Sequence, residues 1–234
     1  MSTGAAATLV GTLSGRAGAG SGLRSRASAG HAPSAHQVDA FEGTMLRVGA
    51  VLFVTALTAL GAQISVPLPF TPVPFTLQPM IVLLGGAALG ARLGATAQAL
   101  YLLIGLAGLP VFAASPLLPQ GAARLIGPTA GFLVSYPLAA FVAGWLAERR
   151  FDRKYLTSLV AMAAGLAIIF ASGLSWLAYG PTALGLSGAV TTALAPFLVA
   201  DLVKLCLAAG VLPTVWRFIG RDGTGRDASG EDRA

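Results

Sequence analysis

The sequence predicts an all-α integral membrane bundle of six transmembrane helices with both termini cytoplasmic. Three observations predict it. The chain is 55% hydrophobic and only 10% charged, whereas soluble domains carry about 25% charge. Its charges are bunched: none occurs over 48–91 or 155–200, and Arg124 stands alone over 93–147. A helix crossing the hydrocarbon core needs about 20 mostly apolar residues, so these gaps hold several crossings. Finally, the basic residues fall on one side of the spans so defined.

Residues 1–44 are rich in Gly, Ala and Ser, and cannot bury enough surface to offset the entropy of ordering. They read as a disordered tail; AAATLVGTL is too short and broken for the apolar core of a signal peptide. The membrane domain is expected over 45–219, followed by a second disordered tail at 220–234. The first span covers 46–66 and ends in VPLPFTPVPF, where Pro67, Pro69, Pro72 and Pro74 forbid a regular helix. Spans two and three, 75–91 and 93–109, meet at the tight turn GARLG. A long connection, PVFAASPLLPQGAARLIGPT, leads to span four at 129–147. ERRFDRK links it to span five at 155–179, and YGPTALGLSG leads to span six at 189–216.

An even number of spans puts both termini on one side. If that side is the cytoplasm, it holds thirteen of the fifteen basic residues: Arg16, Arg24, Arg26, Arg47, Arg92, Arg149, Arg150, Arg153, Lys154, Arg217, Arg221, Arg226 and Arg233. Only Arg124 lies outside, and Lys204 lies within a span, a bias that sets the orientation. The net charge of +6 and pI near 10.2 are thereby explained by topology rather than by nucleic-acid binding. The outer connections are almost uncharged and rich in Pro, Gly and Phe. They suit caps over a pocket, since irregular backbone at membrane depth must be packed in protein or line a cavity; plain interfacial loops are the other reading.

Asp201 and Lys204 stand near the middle of the last span, three residues apart and so on one helix face. Ionisable groups at that depth are costly and usually face a functional interior. An acceptor-only carboxylate beside a three-donor ammonium suits a urea, an amide or a zwitterion; a self-satisfied ion pair that locks packing is the alternative. Arg124, three residues before Gly127, suits an anionic group such as a carboxylate or an interfacial anchor. Gln78 and Thr76 enter the bilayer after the proline-rich loop, where they serve either a ligand or the loop backbone freed by Pro74. Tyr101, Trp176 and Tyr179 are candidates to stack on a ring, although aromatic belts also occupy interfaces. Thr55, Ala56 and Ala59 form a small-residue patch for close approach of a neighbour, in this chain or another. The single cysteine, Cys206, reads as a small packing residue.

No P-loop and no H-E-x-x-H motif occurs, and the only histidines, His31 and His36, lie in the tail. With no nucleophile and base pair either, no enzyme activity, metal or cofactor is expected.

In order and at matching spacing, ISVPLPFTPVPFTLQPM, LYLLIGLAGLPVFAAS, GPTAGFLVSY and ADLVK over about 45–216 resemble the BioY family, substrate-binding membrane subunits of biotin transporters of the energy-coupling factor type. The resemblance implies a six-helix protein of the cytoplasmic membrane that binds biotin from outside. Asp201 would accept a ureido N–H, and Lys204 would either donate to the ligand or hold Asp201. Gln78, Tyr101, Arg124 and Thr129 would complete the pocket. GPTAGF departs from the family's usual GPTGGY at Ala130 and Phe132, and ASPLLPQGAAR replaces a commonly glycine-rich connection; both changes fall in the expected lid. The implied partners are biotin, the lipid bilayer, a coupling transmembrane subunit and ATP-binding subunits, since no nucleotide motif is present here. A self-sufficient secondary or facilitative transporter of biotin or a similar small polar molecule is the competing expectation.

Overall fold

The computed structural model describes the backbone of residues 35–114 and 119–224 and the side chains of 41–114 and 119–218. Eight α-helices are described: α1 (Ala35–Gln63), α2 (Gln78–Leu89), α3 (Ala91–Leu106), α4 (Ala130–Glu148), α5 (Tyr155–Tyr179), α6 (Gly185–Ala189), α7 (Ala195–Ala209) and α8 (Val211–Thr224). Two short strands, β1 (Ser65–Val66) and β2 (Phe75–Thr76), pair antiparallel between α1 and α2. A 3-10 turn at Gly121–Ile126 precedes α4, and a π turn at Val190–Leu194 joins α6 to α7.

The helical class stands, with differences at the ends. α1 begins at Ala35, so residues 35–44, expected as tail, extend the first helix. Between Pro33 and Arg47 the sequence contains no proline, and nothing interrupts the helical ladder there. At the other end α8 runs to Thr224, into the expected tail. The remaining tail residues, 1–34 and 225–234, lie outside the described residues.

Among the described residues, four helical segments are long and apolar enough to cross a membrane: Phe41–Gln63, Ala130–Glu148, Tyr155–Tyr179 and Gly185–Phe218. α2 and α3 are apolar but have 12 and 16 residues. At about 1.5 Å per residue neither spans the roughly 30 Å hydrocarbon thickness alone. The expected sixth span continues through a π turn, because Pro196 has no N–H to give to the preceding turn. The ladder widens there, and Ala195 N–H donates five residues back to Val190 O.

α4 is the central helix, packed against α2, α3 and α5. Its buried face is built from Ala139, Ala140, Ala143, Gly144 and Ala147. Where α2, α3 and α4 cross, a Cβ on Gly86 would strike the Ala140 backbone, and one on Gly144 would strike Gly90 and Ala91. Small residues are what lets membrane helices approach this closely. Gly90 turns the chain between α2 and α3 with φ 89°, a left-handed conformation that side chains resist. Glu148 at the end of α4 then accepts the Ala91 N–H at 2.9 Å, covering the start of α3.

The small-residue patch of α1 finds its neighbour within this chain. Thr55 Oγ1 donates to Ala97 O of α3 at 3.0 Å, and Gln98 Nε2 of α3 donates to Thr58 Oγ1 at 3.2 Å, while Ala56 faces outward. Cys206 likewise points outward from α7 and is not a packing residue.

At the opposite end from the proline-rich loop, the buried Asp152 of the α4–α5 connection accepts from Trp216 Nε1 of α8 at 2.6 Å, and Arg153 lies over the Trp216 ring at 3.5 Å. Burial pushes the Asp152 carboxyl above the usual carboxylate range, opposed by the Trp216 hydrogen bond and by Arg153. A raised folded-state pKa favours the protonated folded form, so this group's contribution is present at acid pH and is lost as pH climbs above about 4. In Asp152→Asn, thermal midpoints in detergent recorded from pH 4 upward should lose that part of the pH dependence; an unchanged slope would remove Asp152 as its source. Gly86→Val should destabilise the fold by about 1–3 kcal/mol of overpacking, or more because backbone must move, and so lower the midpoint at every pH. A midpoint equal to the parent's would show that the crossing has slack.

Candidate ligand-binding site

Proline dictates the first wall of the site. Between β1 and β2 the chain cannot be helical, so it folds into a hairpin registered Ser65 to Thr76 and Val66 to Phe75. Thr76 Oγ1 accepts the Gln78 N–H at 3.3 Å, and α2 starts there with Pro79 in its first turn, where a missing N–H costs nothing. Gln78 is thereby set at the head of a helix, facing inward and 3% exposed.

The second wall is the connection from α3 to α4, held by side chains that donate to its carbonyls. Arg124 Nη2 reaches Ala113 O at 2.9 Å and Nη1 reaches Pro119 O at 3.3 Å. Gln63 Nε2 donates to Phe112 O at 3.3 Å, Ser65 Oγ to Ala114 O at 2.9 Å, and Trp176 Nε1 to Gly127 O at 2.9 Å. Loop backbone at membrane depth must find such donors.

Between these walls and α4, α5 and α7 lies an open cavity with about 610 Å³ of empty space, the solvent at its mouth included. Its sides are aromatic and aliphatic: Phe75, Phe132, Tyr136, Ile169, Phe170 and Phe197. Phe75 and Phe197 stack with centroids 6.2 Å apart. The polar lining is small and specific, comprising Thr76, Gln78, Arg124, Thr129 and Asp201. Apolar walls with a few placed polar groups are the usual construction of a small-molecule site.

Those polar groups are incompletely satisfied by the protein. Asp201 Oδ1 accepts from Lys204 Nζ at 2.8 Å, while Oδ2 has no protein hydrogen-bond partner among the described residues. Arg124 is 1% exposed, yet its Nε is buried without a partner among the described residues, as is Thr129 Oγ1. Burial pulls the Arg124 pKa down from its ordinary value, but a guanidinium stays protonated. Arg124 and Asp201 do not pair with each other. One cavity thus offers a buried cation without an anion and a carboxylate oxygen without a donor. A ligand carrying an anionic group and N–H donors would satisfy both.

The sequence matches the BioY family over residues 35–221. The chain belongs to the BioY family. Among its relatives, the probable biotin transporter BioY of Pyrococcus horikoshii is 40% identical over 161 residues, 69% of this chain and 90% of that protein. The biotin transporter BioY of Thermotoga maritima is 43% identical over 155 residues, 66% of this chain and 86% of that one. The fold is that of a solved crystal structure, the S-component for biotin from an ECF-type ABC transporter, with TM-score 0.67 at 22% identity, covering 80% of this chain and 95% of that one.

In this member of the BioY family the residues singled out from sequence fall into three groups. Asp201, Arg124, Gln78 and Thr129 meet in the cavity. Lys204 and Tyr101 stand behind it and do not line it: Tyr101 bonds Gln78, and Lys204 bonds Asp201. Trp176 ties the Gly127 turn, and Tyr179 is 77% exposed, so neither offers a ring to a ligand there. Ala130 and Phe132, expected in the lid, stand instead in α4, where Phe132 lines the cavity wall. The rest of the aromatic lining, Tyr136, Phe170 and Phe197, escaped sequence reading, because apolar residues in an apolar span carry no contrast. Helical spacing held the missing signal. Phe132, Leu133 and Tyr136 follow Thr129 by three, four and seven residues, and Phe197 precedes Asp201 by four.

Lys204 has a further partner. Its ammonium donates to Thr76 O at 2.8 Å and lies 3.4 Å from the Phe75 ring centroid, so β2 is fastened to α7. A smaller cavity lined by Met80, Leu83, Met162, Leu166, Leu205 and Ala208 lies against the same ion pair. A hydrogen bond from a charged group contributes about 1.5–3 kcal/mol. Lys204→Met should therefore speed amide hydrogen exchange over 65–77 at least about tenfold, with the Gly86 crossing unaffected. Equal exchange in parent and variant would show that β2 is held by other contacts.

Proposed function

We propose that this chain captures biotin at the outer face of the cytoplasmic membrane and acts as the substrate-specific subunit of an energy-coupling factor transporter. The observation that carries this reading is the cavity in which an unpaired guanidinium and a half-paired carboxylate are set among aromatic walls. Biotin has the complementary parts: a ureido ring with two N–H groups, an apolar thioether ring and alkyl chain, and a carboxylate. In this reading Asp201 Oδ2 accepts a ureido N–H, Gln78 and Thr129 supply further hydrogen bonds, and Arg124 receives the carboxylate. Lys204 holds Asp201 in orientation through its bond to Oδ1. The names of the relatives support the substrate, and the fold shared with an S-component for biotin supports the subunit role.

The same reading has the chain cross the membrane six times with both termini in the cytoplasm. The short α2 and α3 complete their crossings with the hairpin and the α3–α4 connection on the outer side, in accord with the distribution of arginine and lysine. Uphill transport then needs a coupling transmembrane subunit and ATP-binding subunits as partners.

The second reading, a self-sufficient transporter, has one observation in its favour: a separate, smaller cavity lies on the Asp201–Lys204 pair between α2, α5 and α7.

Equilibrium binding of labelled biotin to the purified chain in detergent tests the main reading. The parent should bind tightly, and folded Asp201→Asn and Arg124→Ala should each lose at least about tenfold, or 1.4 kcal/mol. A parent that binds no biotin sinks the substrate assignment, and variants that bind normally move the site elsewhere. Uptake by cells making this chain alone, with none of the ATP-binding subunits, would shift the reading to the second.

A further inference from the structure

The Tyr101 hydroxyl joins two parts of the site without reaching the cavity. Its ring is fully buried and held edge-on by Phe112 at 5.6 Å and against Tyr136 at 6.5 Å between centroids. Phe112 belongs to the outer connection and fits there because Gly105 of α3 has no side chain to obstruct it. With the ring fixed from both sides, the hydroxyl has a set position. It donates to Val111 O at 3.2 Å and accepts from Gln78 Nε2 at 2.7 Å.

A tyrosine hydroxyl has one proton to give. Because Val111 O takes it, the hydroxyl can meet Gln78 only as an acceptor, and the amide must turn its NH2 toward Tyr101. The opposite end of the amide, Oε1, has no protein partner among the described residues, and Gln78 lines the cavity. In the reversed orientation Oε1 would take the tyrosyl proton, Val111 O would lose its donor, and the cavity would face an NH2 group instead. The direction of one buried hydroxyl thus decides whether Gln78 offers a ligand an acceptor or a donor.

We propose that Tyr101 is a positioning residue that never touches ligand but fixes Gln78 as an acceptor, so that the cavity selects ligands presenting a second N–H donor besides the one taken by Asp201. The inference deepens the biotin reading and rests on it. It assigns the preference for a two-donor ureido head over a head with one N–H to a residue behind the wall. It also joins the selecting amide to the outer connection, since the same hydroxyl holds Val111.

A double-mutant cycle read by biotin binding tests this role. Tyr101→Phe alone leaves the Gln78 amide free to turn and should weaken binding at least about tenfold. Gln78→Glu presents an oxygen whichever way it turns, so Tyr101→Phe added to it should cost less than about threefold further. A purely structural role for Tyr101 predicts the same loss in both backgrounds and would overturn the proposal. A ligand-free readout accompanies it: in the side-chain ¹⁵N–¹H spectrum of chain labelled at glutamine, Gln78→Glu identifies the Gln78 amide by its missing signal. One of its two protons should exchange slowly with deuterium in the parent and rapidly in Tyr101→Phe. If neither is protected in the parent, the inference fails even where biotin binds. If the parent binds no biotin, the substrate reading fails, and the spectrum alone decides the Tyr101–Gln78 arrangement; it does so equally if Gln78→Glu itself abolishes binding.

Discussion

The ion pair between Asp201 and Lys204 is the interaction on which the rest of the site depends. Neither charge belongs alone at membrane depth, and removing one partner of a buried pair leaves an uncompensated charge that costs about 3–5 kcal/mol. At 2.8 Å they neutralise each other, but Lys204 has three protons and uses the others on Thr76 O and the Phe75 ring. One ammonium therefore fixes the orientation of the carboxylate, closes the proline-rich hairpin over α7, and leaves Asp201 Oδ2 toward the cavity. The charge that makes the site expensive also builds it.

The rest of the molecule divides into a tight scaffold and a stitched cover. The scaffold is the crossing of α2, α3 and α4, where Gly86, Gly90 and Gly144 bring backbones into contact. Without a hydrophobic drive between helices in lipid, such close approach supplies the attraction. The cover is irregular backbone, each stretch of which takes a side-chain donor from below: Arg124 for Ala113 and Pro119, Gln63 for Phe112, Tyr101 for Val111, Trp176 for Gly127. Several of these donors also stand in or directly behind the cavity wall. Cavity lining and loop fastening therefore share the same side chains, so the shape of the cavity and the path of the loops are set together.

The site was legible from sequence wherever polarity broke an apolar background. Asp201, Lys204, Arg124 and Gln78 stand out for that reason, and the first two also share a helix face by spacing. The spacing could not assign Lys204 to the hairpin rather than the ligand, because its partner Thr76 is 128 residues away in the chain. Residue type alone marks Tyr101 as a ring, whereas its hydroxyl bonds Gln78 and Val111. Phe132 drew notice only as a lid residue, and Tyr136, Phe170 and Phe197 carry no contrast against the apolar residues beside them. The lengths of α2 and α3 were overestimated for a similar reason: hydropathy does not distinguish a helix from an apolar loop packed beside it.

Composition and charge placement by themselves determined that the chain is a helical membrane protein and that its proline-rich connections are irregular, and they singled out the few ionisable groups within its apolar segments. These follow from transfer free energies and backbone chemistry, which act residue by residue. Tertiary structure alone decided that the α1 patch serves α3, that Arg124 is buried without an anion, and that Pro196 yields a π turn rather than a break. It also decided which apolar side chains face the cavity and which way the Gln78 amide points. Each depends on groups distant in sequence competing for the same space or the same proton, and no local pattern records the outcome of that competition.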